Sequence, residues 1–214
     1  MKIAGFQKVS LIDYPGKIST VIFTQGCNFR CGYCHNPQLV LPELFEQAID
    51  EQIIFDYLSE RKGKIEGVVI TGGEPTIHKD LPGFIYKVKQ KGFLVKLDTN
   101  GSNPQMLKSL LEGNMIDFVA MDVKTTLSKY NNVSGVEISE EKLRMSINLI
   151  KNSSVEKQFR ITLIRGIHER KDLSEIEKIV GNKITLQFFT YTGNHISKSF
   201  DEHNTFKEEE KKSF

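Results

Sequence analysis

Six short apolar runs, rich in β-branched and aromatic residues, alternate along this chain with amphipathic stretches. That alternation is the pattern of repeated βα units on a parallel sheet. The runs are residues 19–24, 68–70, 94–97, 118–121, 159–164 and 184–189. Residues 42–60, 80–91, 103–112, 139–151 and 172–180 read as the intervening helices, with Asn103 before Pro104, and Ser139 before Glu140 and Glu141, as starting caps. Residues 1–9 read as an extra strand that returns through the turn sequence Asp13-Tyr14-Pro15-Gly16. A closed eight-unit barrel takes about 250 residues, so 214 leave room for roughly six units. The expected fold class is therefore α/β, a partial (β/α)6 barrel with an extra N-terminal strand. Residues 1–199 are read as one domain, and 200–214, with Lys207-Glu-Glu-Glu-Lys-Lys212, as a charged C-terminal tail forming a solvated helix or a frayed end.

In βα barrels the reactive groups gather on loops after the carboxyl ends of the strands. The first such loop holds all three cysteines of the chain, Cys27-Asn-Phe-Arg-Cys31-Gly-Tyr-Cys34. Thiolates clustered this tightly suit a soft metal, and a fully protein-ligated zinc or cubane cluster would normally need a fourth ligand. The simplest chemical reading is a [4Fe–4S] cluster on three cysteines with its fourth iron open. Three other readings use the same segment. Cys31-Gly-Tyr-Cys34-His35 spells the attachment sequence of c-type haem, which requires export and leaves Cys27 idle. A structural zinc could take His35 as fourth ligand, at the cost of strain between adjacent ligands. A disulfide framework suits neither the odd thiol count nor such short loops.

Composition narrows the class of partner. The chain is 39% hydrophobic and nearly balanced in charge, 29 basic against 27 acidic residues, with nothing resembling a nucleic-acid footprint. No apolar run reaches the roughly 18 residues of a membrane span, and Met1-Lys2-Ile3-Ala4-Gly5 does not begin a signal peptide. The expectation is a cytoplasmic protein whose thiols stay reduced, in which the Asn132-Val-Ser134 and Asn152-Ser-Ser154 acceptor sequences carry no meaning.

Three more motifs sit at strand ends: Thr71-Gly72-Gly73-Glu74-Pro75, Asp98-Thr99-Asn100-Gly101 and Met121-Asp122-Val123-Lys124. Each has a plain reading, as a glycine turn, a loop leading to a helix cap, and a solvated ion pair worth little. Taken in register with Cys-x-x-x-Cys-x-aromatic-Cys, in which Tyr33 is the aromatic residue, they resemble the radical S-adenosylmethionine (SAM) superfamily. The resemblance implies that Cys27, Cys31 and Cys34 hold a [4Fe–4S] cluster whose open iron chelates SAM. It further implies reductive SAM cleavage to methionine and a 5′-deoxyadenosyl radical, with the protein binding, orienting and shielding the cofactors. Gly72, Gly73 and Glu74 are then expected to receive the SAM amino group. Asp98, Thr99, Asn100, Asp122, Val123 and Lys124 are expected to lie beside its remaining polar groups, and Tyr33 to offer backbone contact to adenine. The DTNG-like loop can also contact a bound monovalent cation in similar enzymes.

The segments Phe6-Gln-Lys-Val-Ser10-Leu-Ile-Asp13-Tyr-Pro15-Gly16-Lys17 and Phe23-Thr-Gln-Gly26-Cys27 through Pro37 look like the activating proteins of anaerobic ribonucleoside-triphosphate reductases, within the glycyl-radical-enzyme activase group. That implies a glycyl radical enzyme as partner, anaerobic ribonucleoside-triphosphate reductase being favoured over others such as pyruvate formate-lyase, and a flavodoxin- or ferredoxin-like electron donor. Two other readings stand beside it: a radical SAM enzyme acting on a small molecule or peptide, and a non-enzymatic iron–sulfur electron carrier, which would prefer four ligands. The sixth run, Gln187-Phe-Phe-Thr-Tyr-Thr-Gly193, lacks the histidine usual in better-described activases. Arg160 is a further candidate for cofactor binding that could enter the barrel and meet a carboxylate or point outward, because alternation alone does not choose the face, and Gln187 is a weaker one. His168 and Tyr191 are weaker candidates. His35, His78 and His195 are loop histidines without triad logic, and Phe188 and Phe189 read as core.

Overall fold

The computed structural model describes residues 1–181, 183–212 and 214. Its scaffold is a seven-stranded sheet in sequential order, β1 (Ile3–Ser10), β2 (Ser19–Thr24), β3 (Gly67–Gly72), β4 (Leu94–Thr99), β5 (Phe118–Asp122), β6 (Glu156–Leu163) and β7 (Thr185–Phe188). Strands β2 to β7 pair in parallel and β1 pairs antiparallel with β2. The ends of the sheet do not meet, so the barrel is partial, as the chain length and the N-terminal extra strand predict.

The α-helices among the described residues are α1 (Pro37–Val40), α2 (Glu51–Glu60), α3 (Leu81–Gln90), α4 (Pro104–Glu112), α5 (Tyr130–Ser134), α6 (Glu140–Asn152), α7 (Arg170–Val180) and α8 (Glu208–Lys211). None is long and apolar enough to cross a membrane. The expected caps form: Asn103 accepts from Met106 N at 3.2 Å and Ser139 from Lys142 N at 3.4 Å. The helix expected over 42–60 is shorter. Ile49 N donates to Ile3 O at 2.8 Å, which draws this segment onto β1, and Asp50 caps the helix by accepting from Gln52 N at 2.9 Å. Glu169 and Asp172 start α7 two residues early through a capping box.

Two apolar layers follow from strand alternation. One lies between sheet and helices, with Ile22, Val68, Ile70, Val95, Leu97, Val119 and Met121 against Ile54, Leu58, Ile85, Leu107 and Ile147. The other fills the inside of the barrel, where Val21, Val69, Phe118 and Ala120 meet Tyr14. Tyr14, from the β1–β2 turn, stands edge-on to Phe118 with ring centres 5.8 Å apart and closes the end of the barrel opposite the strand-end loops.

The C-terminal tail differs from the solvated or frayed expectation. Helix α8 buries nothing, but Phe206 is 8% exposed, with its ring 5.9 Å from Phe188 and 5.1 Å from Phe214. Before it, Ser197 N donates to Gly32 O at 2.9 Å and Phe200 packs on Tyr33, so residues 197–200 lie against the cysteine loop. The charge run hid the aromatic anchors that flank it. Phe206→Ala should lower the unfolding free energy by roughly 3 kcal/mol in denaturant titration; an unchanged midpoint would show that the tail adds nothing to the folded unit.

Candidate active site

The parallel register delivers four loops to one end of the barrel, around a cavity of about 480 Å³. Cys27, Cys31 and Cys34 line it together with Gly72, Gly73, Glu74, Asp98, Thr99, Asn100, Asp122 and Lys124. Tyr33 also borders it. All three cysteines are free thiols, Cys31 buried and the other two half-buried. Arg30 organises their loop by donating from Nη1 to the carbonyls of Cys27 and Phe29, each at 2.7 Å, while its own amide donates to Ser134 O at 2.8 Å. Among the described residues no three His, Cys, Asp or Glu side chains gather around a point that would suit a single metal ion. Three free thiols on the wall of a cavity are a donor set that fits a polynuclear iron–sulfur cluster with one iron facing inward.

Backbone contact joins the glycine motif to the cysteine loop. Gly73 N donates to Thr24 O at 2.9 Å and Glu74 N to Gly26 O at 2.8 Å. A Cβ on Gly73 would sit 2.0 Å from Gly26 O, and Gly72 takes φ +117°, so both glycines are required by close approach and by conformation. Glu74 is only 1% exposed. Its Oε1 accepts from Thr76 N (3.1 Å), Thr76 Oγ1 (2.5 Å) and Thr99 Oγ1 (2.7 Å), and its Oε2 from Asn100 N (2.7 Å). Burial pushes the Glu74 carboxyl above its usual range, and these four donors oppose that rise. Asn100 Nδ2 then donates to Asn28 Oδ1 at 3.0 Å, bringing the chain of contacts back to the cysteine loop.

Charges alternate along the opposite wall and beneath it. Lys96 Nζ is bonded to Asp98 Oδ1; Arg160 Nη1 lies 3.2 Å from Asp98 Oδ2 and Arg160 Nε 2.8 Å from Asp122 Oδ1; Lys124 Nζ lies 3.4 Å from Asp122 Oδ2. Burial alone would raise the Asp122 carboxyl, but Lys124 and Arg160 hold it below the usual carboxylate range. Burial alone would lower Lys124, but Asp122 holds its ammonium well above the ordinary lysine value. The Lys124 charge is also felt at all three thiols, where it counteracts part of the rise that burial imposes and that takes Cys27 to about 12.

Most predicted site residues meet here. Arg160 turns inward but lies beneath the cavity wall, on the two carboxylates. Val123 does not line the cavity: its side chain is buried in the core and its amide donates to Arg160 O at 2.8 Å. His168 is a brace. It accepts from Ile164 N at Nδ1 (2.9 Å), so Nε2 donates to Lys124 O (2.9 Å), and burial lowers its pKa. Gln187, Phe188 and Phe189 line the cavity and Tyr191 does not. Sequence reasoning missed Thr162 on the wall and Lys96 below it; strand alternation from Arg160 and from Asp98 places both on the inner face.

The fold and site thus define an open βα barrel in which three free thiols and a chain of paired buried charges face one cavity. Residues 21–179 match the Radical SAM superfamily, and the chain belongs to that superfamily. It is similar to the Methanocaldococcus jannaschii protein named "Putative glycyl-radical enzyme activating enzyme MJ1227", 37% identical over 83% of this chain and 75% of that one. The "Pyruvate formate-lyase-activating enzyme" of Clostridium pasteurianum is 32% identical over 58% of this chain and 52% of its own length. In fold, a structure of TYW1 with a lysine-pyruvate adduct bound superposes with a TM-score of 0.63 at 15% identity, over 90% of this chain and 70% of that one.

Glu74→Gln places an amide NH2 among groups that all donate. It should cost about 1–3 kcal/mol in unfolding of the cluster-free protein; an unaltered unfolding midpoint would mean that the carboxylate does not clamp the two loops.

Proposed function

We propose that this chain is a glycyl-radical-enzyme activase, with anaerobic ribonucleoside-triphosphate reductase as the favoured partner. The observation that carries the reading is the placement of three free thiols on one cavity with the Gly72–Gly73–Glu74, Asp98–Thr99–Asn100 and Asp122–Lys124 loops. The names of the relatives at 37% and 32% identity agree with activation of a glycyl radical enzyme. The choice of reductase rests on the resemblance of residues 6–37.

Cys27, Cys31 and Cys34 would hold the [4Fe–4S] cluster. Bound there with SAM, the cluster would supply one-electron cleavage of SAM to methionine and a 5′-deoxyadenosyl radical, the electron coming from a flavodoxin- or ferredoxin-like donor, for hydrogen abstraction from a glycine α-carbon of the partner. The chain's own residues bind and orient. Gly72 and Gly73 bring backbone close enough to receive an ammonium. Lys124, already neutralising Asp122, presents its ammonium to the SAM carboxylate. Asp98, Thr99 and Asn100 form the wall across from the cysteines, and the Tyr33 backbone borders the adenine side. Glu74 contributes by fixing that wall, since its two oxygens are engaged by Thr76, Thr99 and Asn100. Electrostatic preorganisation of this kind requires no acid–base group at the moment of homolysis.

Anaerobic reconstitution with iron and sulfide, followed by dithionite and SAM, should give a reduced-cluster EPR signal that SAM alters, 5′-deoxyadenosine, and a carbon-centred radical on an added anaerobic ribonucleotide reductase. Cys27→Ala should abolish both the signal and SAM cleavage. SAM cleavage without a radical on the reductase would refute that partner; reconstituted protein with neither cluster nor cleavage would refute the reading altogether.

A further inference from the structure

Lys96 lies outside every motif of the sequence and is the most enclosed member of the inner charge chain. It sits mid-strand on β4, its side chain 2% exposed, with its ammonium 5.7 Å from the centre of the Phe118 ring and bonded to Asp98 Oδ1. Phe118 offers it a π face below, and Asp98 offers a carboxylate above. Lys96 lies in register between Val69 on β3 and Phe118 on β5, two members of the inner apolar cluster.

The other partners of Asp98 and Asp122 leave no carboxylate oxygen without a cationic donor. Asp98 Oδ1 has Lys96 and Oδ2 has Arg160; Asp122 Oδ1 has Arg160 and Oδ2 has Lys124. Three cations against two carboxylates give the network one positive charge in excess. An alkali ion at Asp98 would have to displace an ammonium or a guanidinium that is covalently held in place, and would add a second unbalanced charge in a region of low dielectric. The oxygen set at Asp98 therefore does not fit a monovalent cation, in contrast to the expectation drawn from the DTNG-like loop. What the network fits is a single anionic group on its cavity side, at the Lys124 end, where the excess charge is accessible.

We infer that Lys96 is a positioning residue that serves as a built-in monovalent cation: its tethered ammonium fixes Asp98 in the chain Lys96–Asp98–Arg160–Asp122–Lys124 and makes SAM binding independent of added alkali ions. The inference deepens the SAM-binding reading above and rests on it. Its consequence is a specific exchange. Removing the ammonium leaves Asp98 Oδ1 enclosed and short of a charge, and a small cation from solvent can then substitute, so the variant acquires an alkali requirement that the natural chain lacks. A residue serving only to fill space would produce no such requirement.

The test compares the natural chain and Lys96→Met, each reconstituted with its cluster, in potassium chloride, sodium chloride and tetramethylammonium chloride at equal ionic strength. Tetramethylammonium is too large to enter. SAM affinity of the natural chain should change less than about twofold among the three salts, whereas Lys96→Met should bind roughly tenfold more weakly in tetramethylammonium and recover most of that loss in potassium or sodium. Methylammonium chloride should rescue the variant as well. A natural chain that needs potassium or sodium for SAM binding would overturn the inference without any variant, so a Lys96→Met that fails to fold does not protect it. Equal affinity of a folded Lys96→Met in all salts would overturn it too. Thermal unfolding of the cluster-free proteins in the same salts gives a readout that needs no SAM. There, potassium should raise the midpoint of Lys96→Met over tetramethylammonium while leaving the natural chain unmoved, and a potassium response in the natural chain would refute the inference. If the reconstituted natural chain binds no SAM in any salt, the functional reading fails, and the unfolding comparison still decides the role of Lys96.

Discussion

Four hydrogen bonds to one buried carboxylate hold the walls of this site together. Glu74 leaves the end of β3, and its oxygens take donors from Thr76, two residues on, and from Thr99 and Asn100 at the end of β4. Asn100 in turn donates to Asn28 between the first two cysteines. Two neighbouring strands can slide or splay at their ends, where ladder bonding stops, and a carboxylate that accepts from both sides removes that freedom. The cost of burying it is met by charge-assisted bonds. The arrangement also explains why Gly72 and Gly73 must be bare: the chain passes within backbone contact of Gly26 to place Glu74 at depth, and a side chain there would push the loops apart.

The inner face of the barrel divides into two regimes along its axis. At the closed end, Tyr14, Val21, Val69, Phe118 and Ala120 form a dry plug. Above it, Lys96, Asp98, Arg160 and Asp122 alternate in sign and lead up to Lys124 on the cavity wall. A buried chain of charges contributes little net stability, since desolvation offsets attraction, so its value lies in holding groups at fixed positions. Arg160 matters most for geometry, because one planar guanidinium touches carboxylates from two different strands, which a lysine's single ammonium could not do with the same rigidity.

The positions of the chemistry were legible in the sequence because βα alternation fixes where strands end, and strand ends are where cysteines, glycines and acids of this pattern gather. The bounds of β2 followed directly from its apolar run. Less legible were features set by contacts distant along the chain. Arg160 faces inward onto Asp122 on the adjacent strand and Asp98 one strand further on, and no local periodicity carries that information. The helix expected from residue 42 starts at 51 because Ile49 joins β1, forty-six positions back. Val123 reads as part of a motif by position, yet strand alternation turns it away from Asp122 and into the core. The tail looked solvated because six consecutive polar residues outweigh Phe200 and Phe206 in any local average, although two aromatic anchors are enough to fold it back.

The thiols carry a last consequence of enclosure. Burial raises the pKa of Cys27, Cys31 and Cys34, to about 12 for Cys27, and the nearby Lys124 ammonium offsets only part of that rise. Protonated buried thiols are poor nucleophiles and poor partners for disulfide exchange, which disfavours a disulfide within the loop. Thiols that bind metal must lose their protons, so a cluster held as proposed on Cys27, Cys31 and Cys34 would form with proton release. A cluster held as proposed on these thiols would put negative sulfur on one side of Lys124, with Asp122 already on the other. Under the proposed function, its ammonium would balance both and meet a carboxylate entering the cavity between them.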